Sequence, residues 1–351
     1  MHNQETQIYK WKDHIRKRPA MYIGDLRLTG FKQMLEYLFE EILDGSLESP
    51  IFEINFFRDN RITIKITNVD TKKILLRLED LKTKDDRISS LGLGVFITLS
   101  SDISIAINRP PTLVVLHGQK GDFETAATTS QEEEENIIIG YTADKEIFKD
   151  FKLVYELVNS FLCQFAFLNP NLKIISTDKT TEELQRNIFH YPTGVFKQLD
   201  YFVSQQPYGA SCLRVDIEAN IGKYSYRIGI SYSNVWLDKS VIKTYAGNIE
   251  TYLGGSFNDG ILEGLVLSIK NIAHKENIDI QINRKLVKEQ LIVIAAVKGE
   301  NFNFEGSVKR KLGMPKLKKE VRQLVCEQMT NYFESNLKAK ENILQKFKRW
   351  E

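Results

Sequence analysis

The stretch HIRKRPAMYIGDLRLTG, residues 14–30, sets Arg16, Lys17 and Arg18 in front of Pro19 and then runs into Met21, Tyr22, Ile23 and Gly24. By polarity alone the three cations belong in solvent and Met21 to Ile23 in a core. Beyond it, Phe31, Met34, Leu35, Leu38, Phe39, Ile42 and Leu43 recur at i, i+3, i+4 spacing, the pattern of a helix that buries one face, and Asp44-Gly45-Ser46 ends it. FEINFF and RITIKIT then alternate apolar and polar residues around Asp59-Asn60, a dipeptide that tolerates left-handed backbone, and predict a β-hairpin.

Farther along, DISIAI and TLVVLHG read as strands on either side of Pro110-Pro111, and NIIIGYT as another. The acidic run QEEEEN, residues 131–136, reads as a solvated loop. Residues 148–167 carry a long helical pattern that stops at Asn169-Pro170. TGVFKQLDYFVSQQ predicts a short helix; CLRVDIEA and YSYRIGISYS predict strands joined through Asn220-Ile221-Gly222. NDGILEGLVLSIKNIAHKEN is helical with Asn258 or Asp259 as its cap, and QLIVIAAVKG has the unbroken apolar character of a strand buried on both faces. The rest predicts one long terminal helix that leaves the core as it becomes charged. The fold class is α+β, in two domains.

A chain of 351 residues has room for two such cores. With 42% hydrophobic and 27% charged residues it has the composition of a soluble globular protein, and no apolar run approaches the roughly 20 residues of a membrane span. MHNQETQIYKWKD lacks the apolar segment of a signal peptide, so a cytoplasmic location is expected. Cys163, Cys212 and Cys326 show no metal-ligand spacing and are expected to be reduced thiols, with no metal site. The net charge of +2 hides a basic cluster made by Lys309, Arg310, Lys311, Lys316, Lys318, Lys319 and Arg322.

IRKRPAMYIG resembles the opening signature of the ATPase subunit of bacterial type IIA topoisomerases, gyrase B and its topoisomerase IV counterpart. YAGNIETYLGGSF, residues 245–257, resembles the stretch that opens the second domain's helix in that family. LIVIAAVKGENFNFEGSVKRKLG, residues 291–313, resembles its lysine-bearing loop. The resemblance runs from about residue 8 to about residue 335 and leaves nothing for the DNA-cleaving metal domain. It implies a GHKL (Bergerat-type) α/β sandwich over residues 1–185 and a ribosomal-protein-S5-like transducer domain with a long C-terminal helix over 186–351. It also implies an N-terminal arm that crosses to a second protomer, for which Tyr9 and Trp11 are the candidate anchors.

Laid onto this chain, the family's nucleotide residues are largely missing. Working members carry Glu-x-x-x-Asn on the first helix, a base for water and a magnesium ligand; Tyr37 and Glu41 stand there instead. A phenol is a poor base at neutral pH. The adenine-binding Asp falls on Thr67, and Asn68, Val69 and Asp70 replace the glycine turn after it. A threonine expected near Ile137 is absent. Gly92 and Gly94 are either remnants of the phosphate loop or a simple turn. The loop lysine survives as Lys309, with Ser307 where relatives have glutamine.

The resemblance therefore implies a degenerate module without ATP or magnesium as cofactors, acting as a non-catalytic interaction or regulatory protein. Its expected partners are itself or a topoisomerase subunit, together with non-specific double-stranded DNA held by Lys309, Arg310, Lys311, Lys318 and Arg322. The alternative is a divergent ATPase that uses ATP and magnesium, with Glu36, Glu40 or Glu41 as base.

Overall fold

The computed structural model describes residues 10–44, 49–84, 87–149, 151–205, 211–233, 240–306 and 309–348, apart from the side chains of residues 211, 212 and 233. Tyr9, Gly45, Ser46, Ser307 and the Cys212 side chain lie outside that description. The chain forms two compact units that divide between Pro192 and Thr193.

In the first unit the order is α1 (Trp11–Lys17), α2 (Pro19–Ile23), α3 (Leu28–Leu43), β1 (Ile51–Phe57), β2 (Arg61–Thr67), α4 (Thr71–Thr83) and α5 (Leu91–Thr98). It continues with β3 (Ser100–Arg109), β4 (Thr112–Gln119), β5 (Asp122–Thr129), β6 (Asn136–Ala143), α6 (Tyr155–Leu168), β7 (Lys173–Asp178) and β8 (Gln185–Phe189). The eight strands form one sheet in the order β5-β4-β3-β6-β2-β1-β7-β8, and only β1 and β7 run parallel. The hairpin forms where the alternation places it, with Asp59 at φ 64° and Asn60 at φ 59°, the left-handed backbone a tight reversal needs. Because β8 pairs with β7, residues 186–189 complete the first sheet, and the division falls later than the sequence boundary at 185/186.

Several readings of the opening stretch are overturned. Arg16 is not solvated: one guanidinium nitrogen lies 2.6 Å from Asp144 Oδ2 and the other donates to the Thr98 carbonyl at 2.9 Å. Met21 is 67% exposed, whereas Ile23 is buried. Trp11 does not wait for a second protomer; it is buried in its own unit and its Nε1 donates to the Lys84 carbonyl at 3.0 Å. That contact takes Trp11 out of the candidate anchors of a crossing arm; Tyr9, the other, lies outside the described residues.

The second unit comprises α7 (Val195–Ser204), β9 (Ser211–Ile221), β10 (Tyr224–Ser233), β11 (Val241–Ala246), β12 (Ile249–Glu250), α8 (Ser256–Lys275), α9 (Arg284–Lys288), β13 (Leu291–Lys298), α10 (Pro315–Ser335) and α11 (Leu337–Lys348). Its sheet runs β12-β11-β13-β10-β9. β13 lies at the centre with both faces buried, as its apolar run predicts. α8 starts at Ser256 with Gly255 before it, so neither Asn258 nor Asp259 is its cap. The terminal helix is two helices, broken at Asn336, and α11 stays in the core through Ala339, Ile343, Leu344 and Phe347. Both units are α+β.

Candidate functional site

α3 turns Phe31, Met34, Leu35, Leu38, Phe39 and Ile42 inward, which leaves Tyr37 and Glu41, one turn apart, on a neighbouring face. Over that face passes α5, whose run LGLGVFIT is buried from Gly92 to Thr98. Gly92 is what lets the helices touch: a Cβ there would stand 2.5 Å from the Tyr37 carbonyl oxygen and 2.6 Å from Glu41 Oε2. A Cβ at Gly94 would stand 2.8 Å from Ile88 Cδ1. Both glycines lie inside the helix, and the Gly94 amide donates to the Ser90 carbonyl at 2.9 Å.

The Glu41 carboxylate closes the N-terminus of α5. Its Oε2 accepts the Leu93 amide at 3.1 Å, its Oε1 accepts the Ser90 hydroxyl, and the Arg77 guanidinium lies 3.4 Å from Oε1. Ser90 is the residue before the helix, but it makes no capping bond through its side chain; Glu41, from another helix, takes that role. A helix N-terminus concentrates partial positive charge and unsatisfied amides, so it is where an anion binds, and here the anion belongs to the chain itself. The side chain is only 11% exposed. Arg77 also reaches Asp44 at 2.7 Å, and Lys73, one turn earlier on α4, reaches the same carboxylate at 2.8 Å. The hydrogen bond from Lys73, with help from Arg77, holds the Asp44 carboxyl below the usual carboxylate range.

The Tyr37 phenol is pushed above its ordinary pKa, first by burial and then by the negative charges of Glu36 and Glu40. It is thus a neutral hydroxyl at physiological pH. Thr67 ends β2 between Ile51 and Asn136. The segment after it folds differently from a glycine turn: Val69 is buried, and Asp70 caps α4 by accepting the amides of Lys72 at 3.0 Å and Lys73 at 3.4 Å. Ile137 is a core residue of β6. Residues 131–135 of the acidic run are exposed, with the Thr71 hydroxyl donating to Glu135 at 2.5 Å, whereas Asn136 is buried and donates to Glu132 at 2.5 Å.

In the second unit the basic residues differ in exposure. Lys311 pairs with Glu305 at 2.7 Å, and Lys318 pairs with Glu263 at 2.8 Å. Lys309, at φ 53°, Arg310 and Arg322 are exposed, and the Arg310 guanidinium sits 5.0 Å from the centre of the Tyr252 ring. Cys163 and Cys326 are free thiols, both with pKa values raised by burial. Among the described residues there is no cluster of His, Cys, Asp and Glu able to hold a metal, and no helix long and apolar enough to cross a membrane.

Sequence reasoning singles out Glu41 but misses Arg77 and Ser90. Ser90 directly before an apolar helical run is a recognisable start signal. Arg77 has no short-range signal, since it stands on a different helix from Glu41 and meets it only through the fold.

Comparison with known proteins agrees with this architecture. A family model for DNA gyrase B matches residues 194–350. The B-subunit of the type 2 topoisomerase of Aquifex aeolicus strain VF5 is 23% identical over 95% of this chain and 45% of its own length. The B-subunit of a DNA gyrase from Staphylococcus epidermidis is 26% identical over 94% of this chain and 55% of its own. Among solved structures, the 43K ATPase domain of Thermus thermophilus gyrase B in complex with an aminocoumarin superposes with a TM-score of 0.80 at 19% identity, covering 98% of this chain and 95% of that one. The ATP-binding domain of Francisella tularensis topoisomerase IV gives 0.74 at 20% identity, with coverage of 96% and 97%. Over nearly its whole length the chain is therefore similar in sequence to gyrase B and type 2 topoisomerase B subunits, and it shares the fold of the solved gyrase B and topoisomerase IV fragments. It spans about half the length of the curated relatives it matches.

Proposed function

We propose that this gyrase-B-like module does not hydrolyse ATP and serves as a non-catalytic interaction protein, paired with itself or with a topoisomerase subunit. The reading rests above all on the Glu41 carboxylate at the N-terminus of α5, where it is held by Leu93, Ser90 and Arg77. An incoming phosphate at that helix end would have to displace an internal anion and lie against its negative charge. Tyr37 cannot replace a carboxylate base, because burial and then the charges of Glu36 and Glu40 raise its pKa and keep the phenol protonated. Magnesium-dependent ATP turnover is expected at background level. Turnover above background that disappears in Glu36→Ala or Glu40→Ala would instead establish the divergent ATPase.

The same proposal assigns non-specific duplex DNA to the basic loop and the start of α10. Lys309, Arg310 and Arg322 are exposed, and Lys311 and Lys318, partly buried, pair with Glu305 and Glu263. Binding should be weak, indifferent to sequence and salt-dependent. A Lys309, Arg310, Lys311 triple alanine variant is expected to flatten the log–log salt slope by roughly 0.9 for each phosphate no longer neutralised, about two phosphates in all. Equal affinities and slopes for parent and variant would show that the loop does not touch DNA.

A further inference from the structure

Where the β1–β2 hairpin closes, two cations lie over one aromatic ring and a third lines the same cavity. The Arg61 guanidinium lies 4.4 Å from the centre of the Phe57 ring and the Lys179 ammonium 5.5 Å from it. Phe57, Arg58, Asp59, Arg61, Thr142 and Lys179 line a cavity of about 350 Å³. Asp59 is the only carboxylate in that wall, so the lining carries three positive charges against one negative. Among the described residues, none of the three cations has a carboxylate within ion-pair distance.

The arrangement is fixed by the fold. Asn60 pins the hairpin tip by donating to the Phe151 carbonyl at 2.9 Å and accepting the Leu153 amide at 2.8 Å. Arg58 donates from Nε to the Thr180 carbonyl at 2.9 Å, which orients its side chain and leaves the two terminal nitrogens for another acceptor. The Lys179 amide donates to the Phe56 carbonyl at 2.8 Å, and Arg61 stands opposite Thr142 in the β2–β6 register. Three exposed cations lining one cavity with a single carboxylate make it a region of positive potential, and the Phe57 ring offsets the charge of Arg61 and Lys179 only in part. Guanidinium forks beside an ammonium and a hydroxyl match the oxygens of a phosphate better than those of a single carboxylate, which would leave donors unused.

We propose that this pocket binds a phosphate group, either free as a small inorganic phosphate or as the terminal phosphate of a nucleotide. The site belongs to the hairpin and the end of β7, and it does not depend on the state of α3 and α5. Its ligand is held by charge and hydrogen bonds alone, since Phe57 is already engaged by cations and is not offered for stacking on a base.

The test is calorimetric titration of the full chain with pyrophosphate and, separately, with ADP without magnesium, at constant ionic strength with chloride as control. The parent is expected to bind pyrophosphate saturably, and Arg61→Gln/Lys179→Gln is expected to weaken binding at least tenfold with an unchanged thermal midpoint. ADP binding with the affinity of pyrophosphate identifies the phosphate alone as the ligand; tighter ADP binding, lost in the same variant, adds a nucleoside contact. Arg58→Gln, a change at an exposed side chain, should weaken binding severalfold and carries the test should the double variant fail to fold. Absence of saturable binding by the parent, or equal affinities for parent and variants, would overturn the proposal.

Discussion

Gly264→Leu is expected to destabilise the second unit by about 3 kcal/mol, a large share of the stability of an ordinary domain. The reason is the crossing of α8 and α10. Gly260 and Gly264, one turn apart on α8, face the carbonyls of Lys318 and Arg322, one turn apart on α10; a Cβ at either glycine would lie 2.8 Å from its carbonyl oxygen. At Gly264 it would also lie 2.7 Å from Val325 Cβ. Neither obstacle is a flexible chain end, so the helices must separate, and the packing of Leu265, Val321 and Val325 in the buried seam would loosen with them. Helix propensity alone predicts the opposite sign, since replacing an interior glycine with leucine stabilises an isolated helix by roughly 0.8 kcal/mol. Equilibrium unfolding followed by circular dichroism decides between them, and Gly264→Ala should also lose stability if packing dominates.

Arg16→Ala should cost the first unit about 2–3 kcal/mol, an estimate set by the loss of one partner from a largely buried pair. Asp144 is 2% exposed, and Arg16 both neutralises it and satisfies the Thr98 carbonyl. The Glu146 amide at 2.9 Å remains to Asp144 after the change, which keeps the loss below that of a fully orphaned charge. Combining Arg16→Ala with Asp144→Asn should recover part of the stability, because the buried charge is then gone. A double variant no more stable than Arg16→Ala alone would mean that the packing of the arginine stem, and not its charge, matters there.

Much of the fold is legible in local chemistry. The hairpin shows itself through Asp59-Asn60, β13 through an apolar run with no charged side chain before Lys298, and α3 through its spacing. β5 escapes such a reading because Asp122–Thr129 alternates weakly and is exposed on the sheet edge, so it leaves no apolar signal. α4 is easily passed over, although Ile74, Leu78 and Leu81 mark its buried face and Asp70 its cap. The break at Asn336 is hidden because apolar residues continue at helical spacing on both sides of it.

At the candidate site the sequence indicates which residues are absent but not what replaces them. Tyr37, Glu41 and Thr67 stand out only against a family pattern. That Glu41 caps α5, and that Gly92 is there to bring α5 against Tyr37, depends on contacts across 49 to 55 positions of chain, which no periodicity encodes. The same holds for Arg16 and Asp144, where a cation next to a proline looks solvated until its partner 128 residues away is in place.

The central claim, that the chain's own carboxylate holds the helix end a nucleotide's phosphates would need, is tested most directly by the backbone amide resonances of Leu93 and Gly94 during titration with magnesium and a non-hydrolysable ATP analogue. They should stay in place to millimolar ligand, even if resonances around Phe57 and Arg61 move. Saturable, magnesium-dependent shifts at Leu93 and Gly94 would contradict the claim, because they would show that the ligand displaces Glu41.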